Sequence, residues 1–253
     1  MVKQLKGASL ESRVARLQEL QKVAPEGLVE QFEETLDLSW IYHDSALEGV
    51  VYTKEELTGA FSDEVVTDSA LLPVYDEIRN HKAAIMMIRE MARKKRFSVT
   101  LDVIKKLYAQ LAPEELEGRP QPTYRKDMPL HRLYFHEIAP PEKISYRMRQ
   151  LVQWMNAADT KRSTHPVRLA SKSHVQLLHI YPFPRQSGKV ARLVMNLLLL
   201  RLGYPPVIIH ATQRQRYYDA LKQSEDKVSV LINAALGASV ESTIRFFEEA
   251  GVR

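Results

Sequence analysis

Apolar residues recur at three- and four-residue spacing through Leu10 to Val23, Leu28 to Tyr42, Leu71 to Met91, Leu101 to Leu111, Ile144 to Met155 and Ser229 to Ala250. That is the repeat of an amphipathic helix with one face turned to a core. Sustained period-two alternation is nearly absent, so the pattern predicts a mainly α fold. Start and stop signals agree. Thr100 precedes LDVIKKLYAQL and Ala112-Pro113 ends it, while Thr53 stands three residues before Glu56 in the order of a capping box for a short helix. From Gly188 the chain reads GKVARLVMNLLLLRLG, apolar on nearly every side, which predicts a helix enclosed by other helices. Gly203 supplies its left-handed C-terminal cap, and Tyr204-Pro205-Pro206 bars continuation.

The pattern breaks between Glu117 and Pro141, where five prolines surround one weakly alternating run, LHRLYFHEI. This predicts an extended loop or irregular β-hairpin between helices. No internal repeat, low-complexity tract or Gly/Ser linker divides the chain, so one helical unit is preferred over two.

Composition narrows the chemistry. The chain of 253 residues contains no cysteine, which excludes disulfides, thiolate catalysis and cysteine-ligated metals. Its N-terminus is charged and amphipathic without the apolar core of a secretory signal, and no run approaches the roughly 18 apolar residues of a membrane span, so a cytoplasmic protein without a membrane partner is expected. The surplus of 36 basic over 31 acidic residues is mild and interleaved along helices, as in RNHKAAIMMIREMARKKR, which disfavours nucleic acid as partner. The eight histidines lack the i, i+4 pairing of a zinc helix, and no GxxxxGK(S/T) loop occurs.

The remaining feature is YPFPRQSGKVAR, Tyr181 to Arg192. Two prolines make a rigid turn before the central helix. The free amides of its first turn, with Lys189 and Arg192, form a positive concavity suited to phosphate; a loop whose cations pair with carboxylates elsewhere is the alternative on spacing alone.

This segment resembles the signature of the Fic family, H-P-F-x-(D/E)-G-N-G-R-x-x-R. The resemblance extends over roughly Leu101 to Leu221, including His165-Pro166-Val167, His174, Asn196, Gly203-Tyr204-Pro205-Pro206 and Arg216-Tyr217-Tyr218. Upstream, SWIYHDSALEGVVYTKEEL resembles the family's inhibitory helix, (S/T)-x-x-x-E-(G/N), with Glu48 and Gly49 matching and Asp44 standing where Ser or Thr is expected. EIRNHKAAI resembles the helix that follows it. The Pro-rich segment falls where the family has a flap that holds the target protein by strand addition, with Tyr124 and Arg125 resembling its opening. The resemblance implies a Fic-type helical bundle with a short β-hairpin flap. Its parts are an N-terminal helical region over 1–96 carrying an inhibitory-type helix at about 39–57, a Fic core over 97–221 and a C-terminal helical region over 222–253, packed together.

Members of this family transfer AMP from ATP to hydroxyls of target proteins with histidine as general base. Tyr181 occupies that position, and a phenol of ordinary pKa about 10 is a poor base at neutral pH. Arg185 replaces the acidic magnesium ligand, which puts magnesium in doubt while favouring direct contact with phosphate. Gln186 and Ser187 replace Gly-Asn. Glutamine implies a reshaped or strained turn, and Ser187 is expected to cap the helix. Lys189 keeps the charge of an arginine without its fork, Gly188 and Arg192 match the phosphate-binding positions, and Glu48 matches the inhibitory partner of Arg192. His174 and His179 are read as structural. Two readings stay open: a pseudoenzyme that binds ATP, another nucleotide or phosphate and acts through protein partners, or a transferase with an altered donor or metal-independent chemistry. A structural or nucleic-acid-binding use of the scaffold is the remainder.

Overall fold

The structure, a computed structural model, describes residues 9–62, 68–129 and 136–252, and these contain eleven α-helices and no strand. In chain order they are α1 (Leu10–Val23), α2 (Glu26–Leu47), α3 (Lys54–Phe61), α4 (Leu72–Arg93), α5 (Leu101–Leu111), α6 (Pro141–Asn156), α7 (Ala158–Ser163), α8 (Pro166–Ile180), α9 (Ser187–Arg201), α10 (Arg214–Gln223) and α11 (Glu225–Glu249). The expected helices at 10–23 and 101–111 coincide with α1 and α5, and the other periodic stretches are the cores of α2, α4, α6, α9 and α11. Thr53 and Glu56 form both hydrogen bonds of the capping box, and the Thr100 hydroxyl accepts the Val103 N–H.

The segment read as an inhibitory-type helix at 39–57 is the end of α2, a turn and the start of α3. The turn is a Schellman motif: Gly49, at φ 91°, donates to the Ala46 carbonyl, and Val50 donates to that of Ser45. It leaves Glu48 at the last position of the helix. Arg214 Nε and the Tyr218 hydroxyl both donate to the Leu47 carbonyl, which ties this helix end to α10.

The expected β-hairpin is not supported among the described residues. Part of the alternating run, 130–135, lies outside them, and the flanking stretches 117–129 and 136–140 form no strand. Among the described flanks, the Arg125 guanidinium takes the carbonyls of Asp127 and Ala139, two acceptors that a strand ladder there would use, and that of Tyr181 in the α8–α9 turn. Prolines at 120, 122, 129 and 140 have no N–H to offer.

Every residue of α9 from Ser187 to Leu199 is buried, as its all-round apolarity predicts. It packs between α8 and α4, with α5 at its side, and α6 and α11 flank α8. Gly203, at φ 82°, closes the rear of α9, with Tyr204 donating to the Leu199 carbonyl. Among the described residues, α11 alone is long and apolar enough to cross a membrane on length and composition. Its stripe Val228, Leu231, Ile232, Leu236, Val240 and Ile244 is buried as it packs against α1, α8 and α10, so it serves as a core helix.

Candidate functional site

The turn between α8 and α9 is held in an unusual shape. Tyr181 ends α8 in the left-handed region at φ 49°, donating its N–H to the Leu177 carbonyl, and Gln186 precedes α9 at φ 58°. For residues with a Cβ such angles cost about 1 kcal/mol or more, so the surrounding contacts must enforce them. This is the reshaped turn that glutamine implied. Phe183 is locked by a parallel stack on Tyr108 at 3.9 Å. Ser187 does not cap α9 as expected. It is the first helical residue, and its hydroxyl accepts the Phe183 N–H at 3.0 Å and donates to the Phe183 carbonyl at 3.1 Å, bracing the turn from inside.

Arg125 is also a brace. It is buried, its N–H donates to the Pro182 carbonyl at 2.9 Å and its Nε to the Tyr181 carbonyl at 2.7 Å, so the residue read as opening a flap in fact staples that segment to the turn. Tyr124 lies beside it, half-buried, with its ring 5.8 Å from Phe183 and its phenol pushed up to about 12 by burial.

The positive concavity at the front of α9 is filled by the protein's own carboxylates. Arg192 is buried, its Nε paired with Asp44 Oδ1 and its Nη2 donating to Glu48 Oε1 at 2.7 Å. Burial opposes its charge, but Asp44 and then Glu48 outweigh that and raise its pKa well above the ordinary value. Asp44 is buried too. Burial would raise its pKa, yet Arg192 and the imidazole of His81, whose Nε2 lies 3.1 Å from Asp44 Oδ2, hold it below the usual range. Burial pushes His81 down despite Asp44, which favours a neutral ring with its proton on Nε2. One turn along α4, Glu77 accepts from Lys189 Nζ at 3.0 Å and from Gln186 Nε2 at 3.4 Å. Burial raises its pKa, and Lys189 reverses this to a net lowering.

Gly188 shows how closely this plug fits. A Cβ there would fall on Glu48 Oε1, inside van der Waals contact, and 3.1 Å from Arg192 Nη1. The Glu48 carboxylate therefore lies directly against the first turn of α9. Arg185 is half-exposed and held by Glu114, with Nε 2.9 Å from Glu115 Oε1. Behind the site, His174 is fully buried with Nε2 2.7 Å from the Tyr217 hydroxyl, and burial lowers its pKa to about 3. His179 lends its carbonyl to Ala139 N–H. Both fit the structural role assigned to them.

Sequence reasoning brought together Gly188, Lys189, Arg192 and Glu48, and missed Asp44, Glu77 and His81 as partners. Helical spacing carried the signal: Asp44 precedes Glu48 by four residues, and Glu77 precedes His81 by four, so each pair lies on one face.

The Fic/DOC family profile matches residues 98–199, spanning the α8–α9 turn. Those residues are a Fic domain. The chain is 29% identical over 196 residues to a protein adenylyltransferase Fic of Culex quinquefasciatus, covering 77% of this chain and 38% of that protein. It is 30% identical over 188 residues to the Drosophila virilis protein of the same name, covering 74% and 37%. The chain thus spans well under half the length of these curated relatives. Among solved structures, its fold is similar to that of a Fic domain containing signaling protein from Bacteroides thetaiotaomicron, with TM-score 0.82 and 23% identity over 96% of this chain and 98% of that one. It is also similar to Fic-1 from C. elegans, with TM-score 0.75 and 21% identity over 94% and 70%. A more distant likeness, TM-score 0.53 and 19% identity over 94% and 82%, is to IbpAFic2, solved in complex with adenylylated Cdc42.

The residues of this Fic domain fit a phosphate better than a magnesium ion. Arg185 brings a cation to the metal-ligand position, and the carboxylates at the front of α9 already serve Arg192 and Lys189. Among the described residues no cluster of three His, Asp or Glu is placed for a metal.

Proposed function

We propose that this Fic domain is a nucleotide- or polyphosphate-binding regulatory protein rather than a histidine-driven AMP transferase. The observation that carries the reading is Glu48 seated over Gly188 and paired with Arg192: an anion already occupies the helix front, in a turn whose base position is Tyr181. The site's chemistry is anion exchange. A nucleotide phosphate replaces the Glu48 carboxylate and gains the first-turn amides of α9 and the Arg192 fork. Tyr181 puts a phenol where the family has an imidazole, and a protonated phenol lacks the basic nitrogen that would draw a proton from a target hydroxyl. The similarity to named adenylyltransferases supports ATP as the nucleotide to test first. The protein partner is a target segment received beside Tyr124, where the family's flap opens; that IbpAFic2 is solved in complex with adenylylated Cdc42 supports a protein partner by analogy.

A second reading takes the same Glu48–Arg192 pair as the inhibitory device of a working enzyme: AMP transfer by altered, metal-independent chemistry. One experiment separates them. The protein and Glu48→Gly are incubated with labelled ATP and a cell lysate, with and without magnesium, and ATP binding is followed by calorimetry. Binding without label transfer supports the regulatory reading. Transfer that disappears in Arg192→Ala overturns it, and transfer only after Tyr181→His identifies the base as the missing part.

A further inference from the structure

Asp44 stands where the inhibitory motif has a hydroxyl, and it does what a hydroxyl cannot: it places a full negative charge on the Nε side of Arg192. Glu48 takes only the Nη2 edge. The two carboxylates differ in mobility. Glu48 sits at the end of α2, before a glycine turn, and its side chain is about one-sixth exposed. Asp44 lies a full turn inside the helix, buried at 3% exposure, with His81 against its second oxygen and the Asp44 carbonyl 3.4 Å from Arg192 Nη2. His81 belongs to α4, so the pairing bridges three helices: α2 through Asp44, α4 through His81 and α9 through Arg192.

We propose that Asp44, braced by His81, is a second and stronger latch on Arg192, so that displacing Glu48 alone does not open the anion site. This rests on the reading of the helix front as a phosphate site only for its functional consequence. The latch itself is a property of Arg192. A phosphate arriving over Gly188 displaces Glu48 more readily than Asp44, because Glu48 lies at the helix end and is 17% exposed against 3% for Asp44. It then meets an arginine whose Nε remains committed to Asp44 and whose charge is already neutralised, so Arg192 offers it one edge rather than a free fork. Opening the site fully requires α2 to draw Asp44 away from His81 and α9. That gives a partner protein acting on α2 a handle that a nucleotide lacks. His81 is a positioning residue: its Nε2 lies 3.1 Å from Asp44 Oδ2, against the carboxylate face away from Arg192.

Two readouts on the full chain test this. The Arg192 Nε–H signal, assigned by its disappearance in Arg192→Lys, is followed for exchange with water by NMR. It should stay protected in Glu48→Gly and exchange at least about tenfold faster in Asp44→Asn, which keeps shape and removes charge. Asp44→Ser is read the same way should Asp44→Asn not fold. Loss of protection in Glu48→Gly, or equal protection after Asp44 is changed, overturns the latch, and neither result needs a ligand. Calorimetric titration with ATP and, separately, inorganic pyrophosphate is the second readout. Glu48→Gly should gain no more than about threefold in affinity, and Asp44→Ser/Glu48→Gly at least about tenfold. A full gain in Glu48→Gly alone again overturns the proposal. If the Nε–H behaves as stated and no variant binds either probe, the latch stands and the phosphate reading falls.

Discussion

Gly203 and Gly188 stand at the two ends of the same helix and are needed for opposite reasons. Gly203, behind α9, has φ 82°, a conformation that side chains resist, and its place follows from rules that span five residues. Gly188 lies inside the front turn of a regular helix, and what it lacks is room: a Cβ would strike Glu48, 140 positions earlier in the chain. The rear of α9 takes its shape from its own turn, to which α1 adds one neutral contact, Gln18 Nε2 donating to the Gly203 carbonyl at 2.7 Å. The front is a meeting place for side chains from α2, α4 and the 117–129 segment, with buried charges and two non-glycine residues held at positive φ. One helix end is closed by a glycine turn, whereas the other carries buried charge and strain that distant elements must sustain.

The sharpest break of this contrast is Arg192→Ala. It leaves Asp44 buried without its cation and should cost about 3–5 kcal/mol in urea unfolding, unless protonation of Asp44 relieves it at low pH. A loss under about 1 kcal/mol at pH 7 would show the front to be as loosely built as a surface ion pair. Gly188→Ala should cost about 1–3 kcal/mol by pushing Glu48 off Arg192, and much less in a Glu48→Gly background. Additive costs in that double-mutant cycle would refute the collision. Acid should load the front end as well. His174, buried behind Arg192 through Tyr217, has its folded pKa depressed to about 3, so the unfolded chain binds the proton first. Its contribution to stability is complete above about pH 6.5 and lost as pH falls toward 3, at up to about 1.4 kcal/mol per pH unit. Unfolding midpoints measured from pH 7 to 5 should fall accordingly, and His174→Gln should flatten the slope. At the rear, Gly203→Ala should cost about 1 kcal/mol, independently of Glu48 and of pH, since backbone strain is joined only by contact with the flexible Gln18 amide, 3.0 Å from where the Cβ would lie.

Legibility in the sequence follows the same division. The apolar stripes of α1 and α5 mark their helices to the residue, because three- and four-residue spacing is a local property. By contrast α8 is masked. Ser171, Ser173 and His174 lie on its buried side, where Ser173 donates to the Leu169 carbonyl and His174 meets Tyr217, so polar letters occupy core positions. The described flanks of the expected hairpin form no strand, and there the buried Arg125, whose letter alone reads as a surface charge, takes the carbonyls of Asp127 and Ala139. At the site, Gly188, Lys189, Arg192 and Glu48 could be named from motif positions, but Arg185 faces Glu114 and Glu115, and Ser187 braces its own turn.

The sequence by itself determined the helical class, the enclosure of α9, its glycine stop at Gly203 and the exchange of histidine for Tyr181, because each depends on residue type within a few positions. Only the tertiary structure decided that the cations at the front of α9 are already answered. Asp44, Glu48 and Glu77 reach Arg192 and Lys189 across more than a hundred residues of chain, and a buried charge is defined by which carboxylate packing brings to it.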